Sequence, residues 1–75
     1  MKDDNRQLKK VLSNNIKKYR ARLKLTQEQA AESAGITFKY WQRLEMISQV
    51  DLPSLPALNK IAKALKISPS KLIDF

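Results

Sequence analysis

Apolar residues recur along the first third of the chain at the three- and four-residue spacing of an amphipathic helix. The stripe consists of Leu8, Val11, Leu12, Ile16, Tyr19 and Leu23. The basic residues Lys9, Lys10, Lys17, Lys18 and Arg22 fall on the other faces. This pattern predicts a first helix with one face in the core. Residues 1–7 are polar, and we expect them to form a flexible N-terminal arm before one domain over residues 8–75.

The only glycine of the chain, Gly35, separates two short patterns whose apolar side chains differ in size. Small residues precede it at Ala30, Ala31 and Ala34, and bulky residues follow it at Trp41 and Leu44. Two helices cross closely where one of them presents small side chains, and a tight turn between them needs a residue that tolerates positive φ. The segment at about 27–47 is therefore predicted to form a helix-turn-helix.

Hydroxyl side chains mark the expected helix starts. Thr26 with Gln29 forms a capping-box pattern, and Thr37 and Ser54 can cap the next two helices. The fourth helix carries one apolar stripe, made of Leu55, Leu58, Ile61, Ala62 and Leu65. Pro69 can open a last short helix. No stretch alternates as a strand does, so the predicted fold is all-α with five helices.

Composition limits the chemistry that the chain can perform. Lys and Arg number 15 against 7 Asp and Glu, which gives a formal net charge of +8 over 75 residues. Such an excess attracts polyanions, although a merely solvated basic surface is the alternative. Without cysteine or histidine, and with no paired carboxylates or phosphate-binding glycine loop, we expect no catalysis, no cofactor and no metal. No apolar run suits a signal peptide or a membrane span, so we expect a soluble, cytoplasmic protein.

The order of these features resembles the lambda-repressor-like, Cro/XRE-type helix-turn-helix family over about residues 10–75. The matching residues are Gln27, Ala31, Gly35, Ile36, Trp41, Leu44 and Glu45, followed by the segments 53–55, 60–65 and 67–72. The resemblance implies a compact five-helix domain that places the second helix of its helix-turn-helix in the major groove of double-stranded DNA. It also implies association with the nucleoid through DNA binding.

The resemblance places base contacts on that second helix, at Thr37, Phe38, Lys39, Gln42 and Arg43. Arg43 can bond the O6 and N7 of guanine bidentately, Lys39 can reach the same acceptors, and Gln42 can bond adenine. Phe38 departs from the polar residue that many members have, and its natural contact is a thymine methyl group. For Lys39 and Arg43 the alternative is phosphate contact or solvation, and for Phe38 it is packing against the turn.

Four further residues are candidates for contacts to phosphates. Gln27 opens a helix whose first backbone N–H groups are free to bind an anion, and the resemblance gives it this role. Tyr40 can donate its hydroxyl from the second helix. Lys17 and Lys18 can add attraction from the first helix, although a solvated face is the simpler explanation for both lysines.

The resemblance also implies a partly buried ion pair between Arg20 and Glu45. We expect this pair to set the angle at which the second helix is presented rather than to add much stability. The family has a larger aliphatic residue at position 30, so Trp41 is predicted to fill the volume that Ala30 leaves and to be a core residue. Lys24 and Lys66 stand where the family often has the glycine that ends a helix.

The loop after the helix-turn-helix lacks the usual glycine and carries Ile47, Val50 and Leu52. Together with Leu72 and Phe75, these residues supply more apolar surface than a small core uses. In the family this region often forms a two-fold contact, which predicts a homodimer with two recognition helices about 34–36 Å apart. A different protein partner is the alternative use of this surface.

Two classes of function are therefore retained, and an enzyme is ranked last. The first is a sequence-specific regulator of transcription, with repression from an inverted-repeat operator as the favoured form. The second is an antitoxin or adaptor that uses the same fold mainly to bind a protein. In the second class, the apolar loop rather than the basic helix would decide activity.

Overall fold

The computed structural model describes residues 2–49 and 51–74, which form four α-helices and one 3₁₀ helix. The helices are α1 (Lys2–Arg22), α2 (Gln27–Ala34), α3 (Phe38–Leu44), α4 (Leu55–Ala64) and the 3₁₀ helix (Pro69–Ile73). The described ranges contain no strand, which confirms the all-α class. The prediction of five α-helices is corrected, because the last element is too short for an α-helical ladder and uses the tighter turn of a 3₁₀ helix. In that turn the Lys71 N–H donates to the Ser68 carbonyl at 3.0 Å.

Helix α1 begins earlier than the sequence pattern predicts. Its backbone is helical from Lys2, whereas the apolar stripe predicted a start near Leu8. The backbone of residues 2–7 is therefore continuous with the rest of α1, and Met1 lies outside the described residues. Extending a helix that the core already holds costs far less than nucleating one. That this segment is flexible stays a prediction.

The core lies where the four α-helices and the 3₁₀ helix meet. Its buried apolar residues are Leu12, Ile16, Ala30, Ala31, Ala34, Trp41, Leu44, Ile61, Ala62, Ala64, Leu65 and Leu72. Helix α2 packs against α3 and α4, while α1 packs against α3 and the 3₁₀ helix. Trp41 is 0 % exposed, which confirms that it is a core residue and not a platform for stacking bases.

Helices α1, α2 and α4 end in the same way. Each is followed by one residue with positive φ: Lys24 (57°), Gly35 (72°) and Lys66 (59°). The next residue, which is Leu25, Ile36 or Ile67, donates its N–H back to a carbonyl of the last helical turn and packs against the core. This arrangement satisfies carbonyl groups that a helix end leaves free and turns the chain sharply. Two of these three turns contain lysine, Lys24 or Lys66, at the positive-φ position where the family often has glycine.

The predicted N-caps are confirmed. Thr26 Oγ1 accepts the Gln29 N–H at 3.0 Å, and the Gln29 side chain accepts the Thr26 N–H at 2.9 Å. Thr37 caps α3 through the Tyr40 N–H at 3.1 Å, and Ser54 caps α4. The turn between α2 and α3 therefore has Gly35 at the end of α2 and the Thr37 cap at the start of α3. The cap determines the residue at which α3 begins.

Candidate nucleic-acid interface

Helix α3 presents two chemically different faces. Trp41 and Leu44 are buried against the rest of the domain, whereas Thr37, Phe38, Lys39, Gln42 and Arg43 are exposed. Because side chains of a helix repeat every 3.6 residues, burying one face leaves the others at the surface. The structure thus brings the five predicted base-contact residues together on the outside of the helix-turn-helix, as a row of polar and basic groups with one exposed aromatic ring.

A buried carboxylate connects α3 to the two preceding helices. Glu45, the C-cap of α3, is 4 % exposed. Its carboxylate accepts hydrogen bonds from one residue in each of α1, α2 and α3. Arg20 Nε of α1 lies 2.6 Å from Oε2 and Arg20 Nη2 lies 2.9 Å from Oε1. Gln27 Nε2 of α2 lies 3.0 Å from Oε1, and Trp41 Nε1 of α3 lies 2.6 Å from Oε2. We call these four residues the Glu45 network.

The charges in the Glu45 network stabilise one another. Burial alone would raise the pKa of Glu45, but the hydrogen bonds from Arg20, Trp41 and Gln27 outweigh it and lower the pKa. The bond to Glu45 likewise raises the pKa of Arg20. The Arg20–Glu45 ion pair that the resemblance implies is thus present, with two parallel N–H···O bonds, and Arg20 Nη1 also donates to the Leu25 carbonyl at 2.9 Å.

Gln27 has a structural partner that the sequence did not indicate. Its side-chain nitrogen points to Glu45, so one of its two N–H groups is already engaged within the protein. The second N–H of this amide remains available to a phosphate. The free backbone N–H groups of the first turn of α2 can bind the same phosphate. Gln27 is therefore held in one orientation at the start of the helix.

Lys9 is the main functional residue that the sequence pattern misplaced. It was expected on a solvent-exposed face, but it is 1 % exposed. Its Nζ donates to the carbonyls of Arg43 at 3.1 Å and Met46 at 2.8 Å, and also to the carbonyl of Gln49. The ammonium group links the last turn of α3 to the loop that follows, where the Arg43 and Met46 carbonyls also accept backbone N–H groups, and it lies at the negative end of the helix dipole.

The sequence does contain a weak signal for this role. Lys9 lies three residues before Leu12 and seven before Ile16, so it shares their inward face. Ser13, four residues after Lys9, uses the same face, and its hydroxyl donates to the Leu44 carbonyl at 2.7 Å. Burial lowers the pKa of Lys9, an effect that the nearby Asp51 carboxylate partly offsets. Lys9 and Ser13 together hold the C-terminal end of α3 against α1.

Arg43 is exposed but has a partner in the loop that follows α3. Its Nη2 lies 2.8 Å from Asp51 Oδ2, and the two side chains are 49 % and 52 % exposed. Tyr40 lies half-buried on the same helix, and burial and then the Asp51 charge raise the pKa of its hydroxyl. The Tyr40 hydroxyl therefore keeps its proton at neutral pH and remains a hydrogen-bond donor.

The lysines of α1 that were proposed to attract phosphates are both at the surface. Lys17 and Lys18 are exposed, and the Lys18 ammonium lies 4.9 Å from the centre of the Tyr19 ring. Arg22 contacts the same ring, at 5.1 Å. Cation–aromatic contacts of this kind keep the long side chains extended over the ring without removing them from solvent.

Of the residues predicted for a dimer contact, the structure describes three, and these differ in exposure. Ile47 and Leu52 are 41 % and 38 % exposed, but Leu72 is 0 % exposed and belongs to the core. The assignment of Leu72 to an interface is therefore wrong, because the 3₁₀ helix turns this side chain inward while Asn15 of α1 donates to its carbonyl at 2.9 Å. Val50 and Phe75 lie outside the described residues.

An apolar groove of about 170 Å³ lies beside this region. It is lined by Leu8, Leu12, Leu52, Pro53, Leu55, Leu58 and Ile73. Leu55 is 81 % exposed and Ile73 is 43 % exposed, so the rim of the groove is apolar surface in contact with water. Contiguous apolar surface of this kind is typical of contacts with another macromolecule.

Two kinds of site are not found in the part of the chain that the structure describes. Its acidic side chains form no group of three or more that could bind a metal ion. Within the same ranges, the helices lack the combination of length and apolar character needed to span a membrane.

Comparison with known proteins agrees with the geometry of α2 and α3. Searches among curated proteins and among solved structures gave no match. A family model described as helix-turn-helix matches residues 16–72, which include α2, the Gly35 turn, α3, α4 and most of the 3₁₀ helix. The chain therefore belongs to the Cro/C1-type helix-turn-helix family, a family of DNA-binding regulators of transcription.

Proposed function

We propose that this protein binds a specific double-stranded DNA sequence and regulates transcription from it, as a repressor that acts as a dimer on an inverted-repeat operator. The observation that carries the proposal is the exposed face of α3. Its core face is anchored by Trp41 and Leu44, while Thr37 at the N-cap and the four other candidate base-contact residues on the helix face solvent. A net charge of +8 favours rapid capture of DNA and adds affinity that does not depend on sequence.

Base recognition is assigned to the side chains that the first turns of α3 expose. Arg43 is proposed to bond guanine, with Lys39 as a second donor to the same acceptors and Gln42 directed to adenine. Phe38 is 41 % exposed, which supports contact with a thymine methyl group over burial against the turn. Thr37 caps the helix with its hydroxyl and so defines where this reading face begins.

Positioning on the DNA backbone is assigned to Gln27, Tyr40, Lys17 and Lys18. Gln27 opens α2 and Tyr40 lies in α3, and each side chain keeps a free donor, whereas the two lysines supply charge from α1. Each lysine that contacts a phosphate should account for close to one unit of the slope of log affinity against log salt. Measuring this slope for Lys17→Ala and for Lys18→Ala, each against the wild type, shows whether either lysine contacts a phosphate.

The dimer contact is proposed to use Ile47, Leu52, Leu55 and Ile73, which are exposed apolar residues, in place of the buried Leu72. Val50 and Phe75 remain candidates from the sequence. A two-fold contact of this kind would present two copies of α3 about 34–36 Å apart, one turn of DNA. Sedimentation of the protein with and without DNA tests it, since a protein that remains a monomer in both conditions excludes the dimer.

Selection of random duplex DNA by the purified protein, followed by sequencing, tests the proposed function. Enrichment of an inverted repeat whose half-sites lie about one helical turn apart is the expected result. Replacement of Arg43 with alanine should then relax the requirement at a single G·C pair of each half-site. Salt-sensitive binding without an enriched sequence would contradict the proposal.

Binding of a protein partner, as in an antitoxin or adaptor, is the second candidate function. The groove rimmed by Leu55 and Ile73 favours it, because these exposed apolar side chains lie together at one groove and not singly on the surface. Replacement of Leu55 with serine separates the two candidates. A DNA-binding dimer should lose affinity for the full operator but keep its base preference, whereas a module whose activity depends on the groove should lose activity while its binding to DNA is unchanged.

A further inference from the structure

Arg43 and Asp51 form an ion pair on the outer side of the domain. Arg43 lies on the exposed face of α3, and Asp51 lies in the loop between α3 and α4. Their closest atoms, Nη2 and Oδ2, are 2.8 Å apart. About half of each side chain is accessible to solvent.

Stability does not explain this pair. Ion pairs between exposed side chains contribute little, since water screens the attraction and two flexible side chains must be ordered. A carboxylate beside a helix that binds DNA is also repelled by the phosphates. Asp51 therefore opposes non-specific attraction at the surface where the chain needs positive charge.

The loop that carries Asp51 is attached to the protein interior. The buried Lys9 ammonium donates to the carbonyls of Arg43, Met46 and Gln49, and so links the end of α3 to the loop two residues before Asp51. The distance from the Arg43 backbone to the loop is thus determined by a group in α1. An arginine side chain is flexible, and a partner on a fixed loop limits the orientations that its guanidinium can take.

We propose that Asp51 is a positioning residue that determines specificity, by holding the Arg43 guanidinium toward the base edge and away from the phosphates. The inference rests on the proposed function, in which Arg43 reads guanine. The ion pair uses one N–H of the guanidinium, and the remaining N–H groups stay available for the two acceptors of guanine. The same restraint works against the competing use of Arg43 as a phosphate contact.

The experiment compares Asp51→Asn with Asp74→Asn, a matched loss of one exposed carboxylate at the end of the 3₁₀ helix. Binding is measured to the selected duplex and to the same duplex with the Arg43-dependent G·C pair replaced by A·T. For Asp51→Asn the ratio of the two affinities should fall by about tenfold, the worth of one base contact. Its affinity for the substituted duplex should rise, and its salt dependence should steepen by close to one unit as Arg43 turns to a phosphate.

Asp74→Asn should leave the ratio unchanged. In Arg43→Ala, adding Asp51→Asn should not steepen the salt dependence, because no guanidinium remains to turn to a phosphate, and a steepening there would contradict the inference. An unchanged ratio in Asp51→Asn, in a protein where Arg43→Ala does reduce it, overturns the inference and leaves the proposed function intact. If Arg43→Ala has no effect at any base pair of the site, the assignment of Arg43 fails, and the inference fails with it.

Discussion

The Trp41 indole Nε1 lies 2.6 Å from Glu45 Oε2, so the largest side chain of the core donates directly to the carboxylate that pairs with Arg20. The two residues are one helical turn apart, at the buried face of α3 and at its C-cap. Packing of the helix-turn-helix and orientation of its second helix therefore depend on the same group. Bonds made by a buried charge are costly to break, because the partner that remains cannot be rehydrated.

Replacement of Glu45 with alanine should lower the free energy of unfolding by about 3 kcal/mol, because Arg20 is left beside the core without its partner. DNA affinity should fall as well, since α3 loses its links to α1 and α2. Urea denaturation and DNA titration measure the two effects. Glu32→Ala, on the exposed face of α2, is the control and should change stability by less than about 0.5 kcal/mol. Equal effects of the two substitutions would contradict the role of the Glu45 network.

The contribution of Glu45 should depend on pH in a defined direction. Its pKa in the folded protein is lowered by Arg20, Trp41 and Gln27, while in the unfolded chain it is close to the ordinary glutamate value of about 4.3. The stabilisation is therefore complete above that value and is lost as the pH falls through the lower, folded pKa. Free energies of unfolding of the wild type and Glu45→Gln should differ most at neutral pH and converge in acid. A difference that stays constant from pH 7 to pH 3 would exclude this explanation.

Lys9 offers a test with a neighbouring control. Replacement of Lys9 with methionine keeps much of its volume but removes the donor to three carbonyls, so the free energy of unfolding should fall by at least about 2 kcal/mol. Lys10→Met removes the same charge from an exposed position and should change it by about 0.5 kcal/mol or less. If both variants were equally stable, the cost of burying the ammonium would cancel its hydrogen bonds, and Lys9 would not anchor α3.

Replacing a lysine that has positive φ with glycine should stabilise the fold. At Lys66, with φ of 59°, glycine removes the steric cost of the left-handed conformation, and Lys66→Gly should raise the free energy of unfolding by about 0.5–1 kcal/mol. Lys63→Gly removes an equal charge within α4 and should have the opposite sign, about 1 kcal/mol lower. Thermal denaturation of the two variants provides the comparison. A loss of stability in both would show that the turn after α4 is not strained.

Much of the fold follows from rules that act over a few residues. Thr26 with Gln29, Thr37 and Ser54 cap helices because the groups they satisfy lie within three positions along the chain. Trp41 and Leu44 share a face by helical periodicity alone. The family resemblance, and with it the exposed candidates on α3, rested on the same local order of small residues, glycine and bulky residues.

Other features depend on partners that are distant in the sequence, and only the folded chain brings those partners together. The carbonyl groups that Lys9 contacts lie 34, 37 and 40 residues away, so helical periodicity can place this lysine on the inward face of α1 but cannot identify its partners. Leu72 turns into the core, because α1 and α4 enclose the 3₁₀ helix. Local hydrogen bonding and periodicity in the sequence determined the helices and their caps. The tertiary structure decided the rest. Packing and the cost of burying unpaired polar groups determined that Lys9 and Ser13 bind the end of α3, and the path of the following loop placed Asp51 beside Arg43.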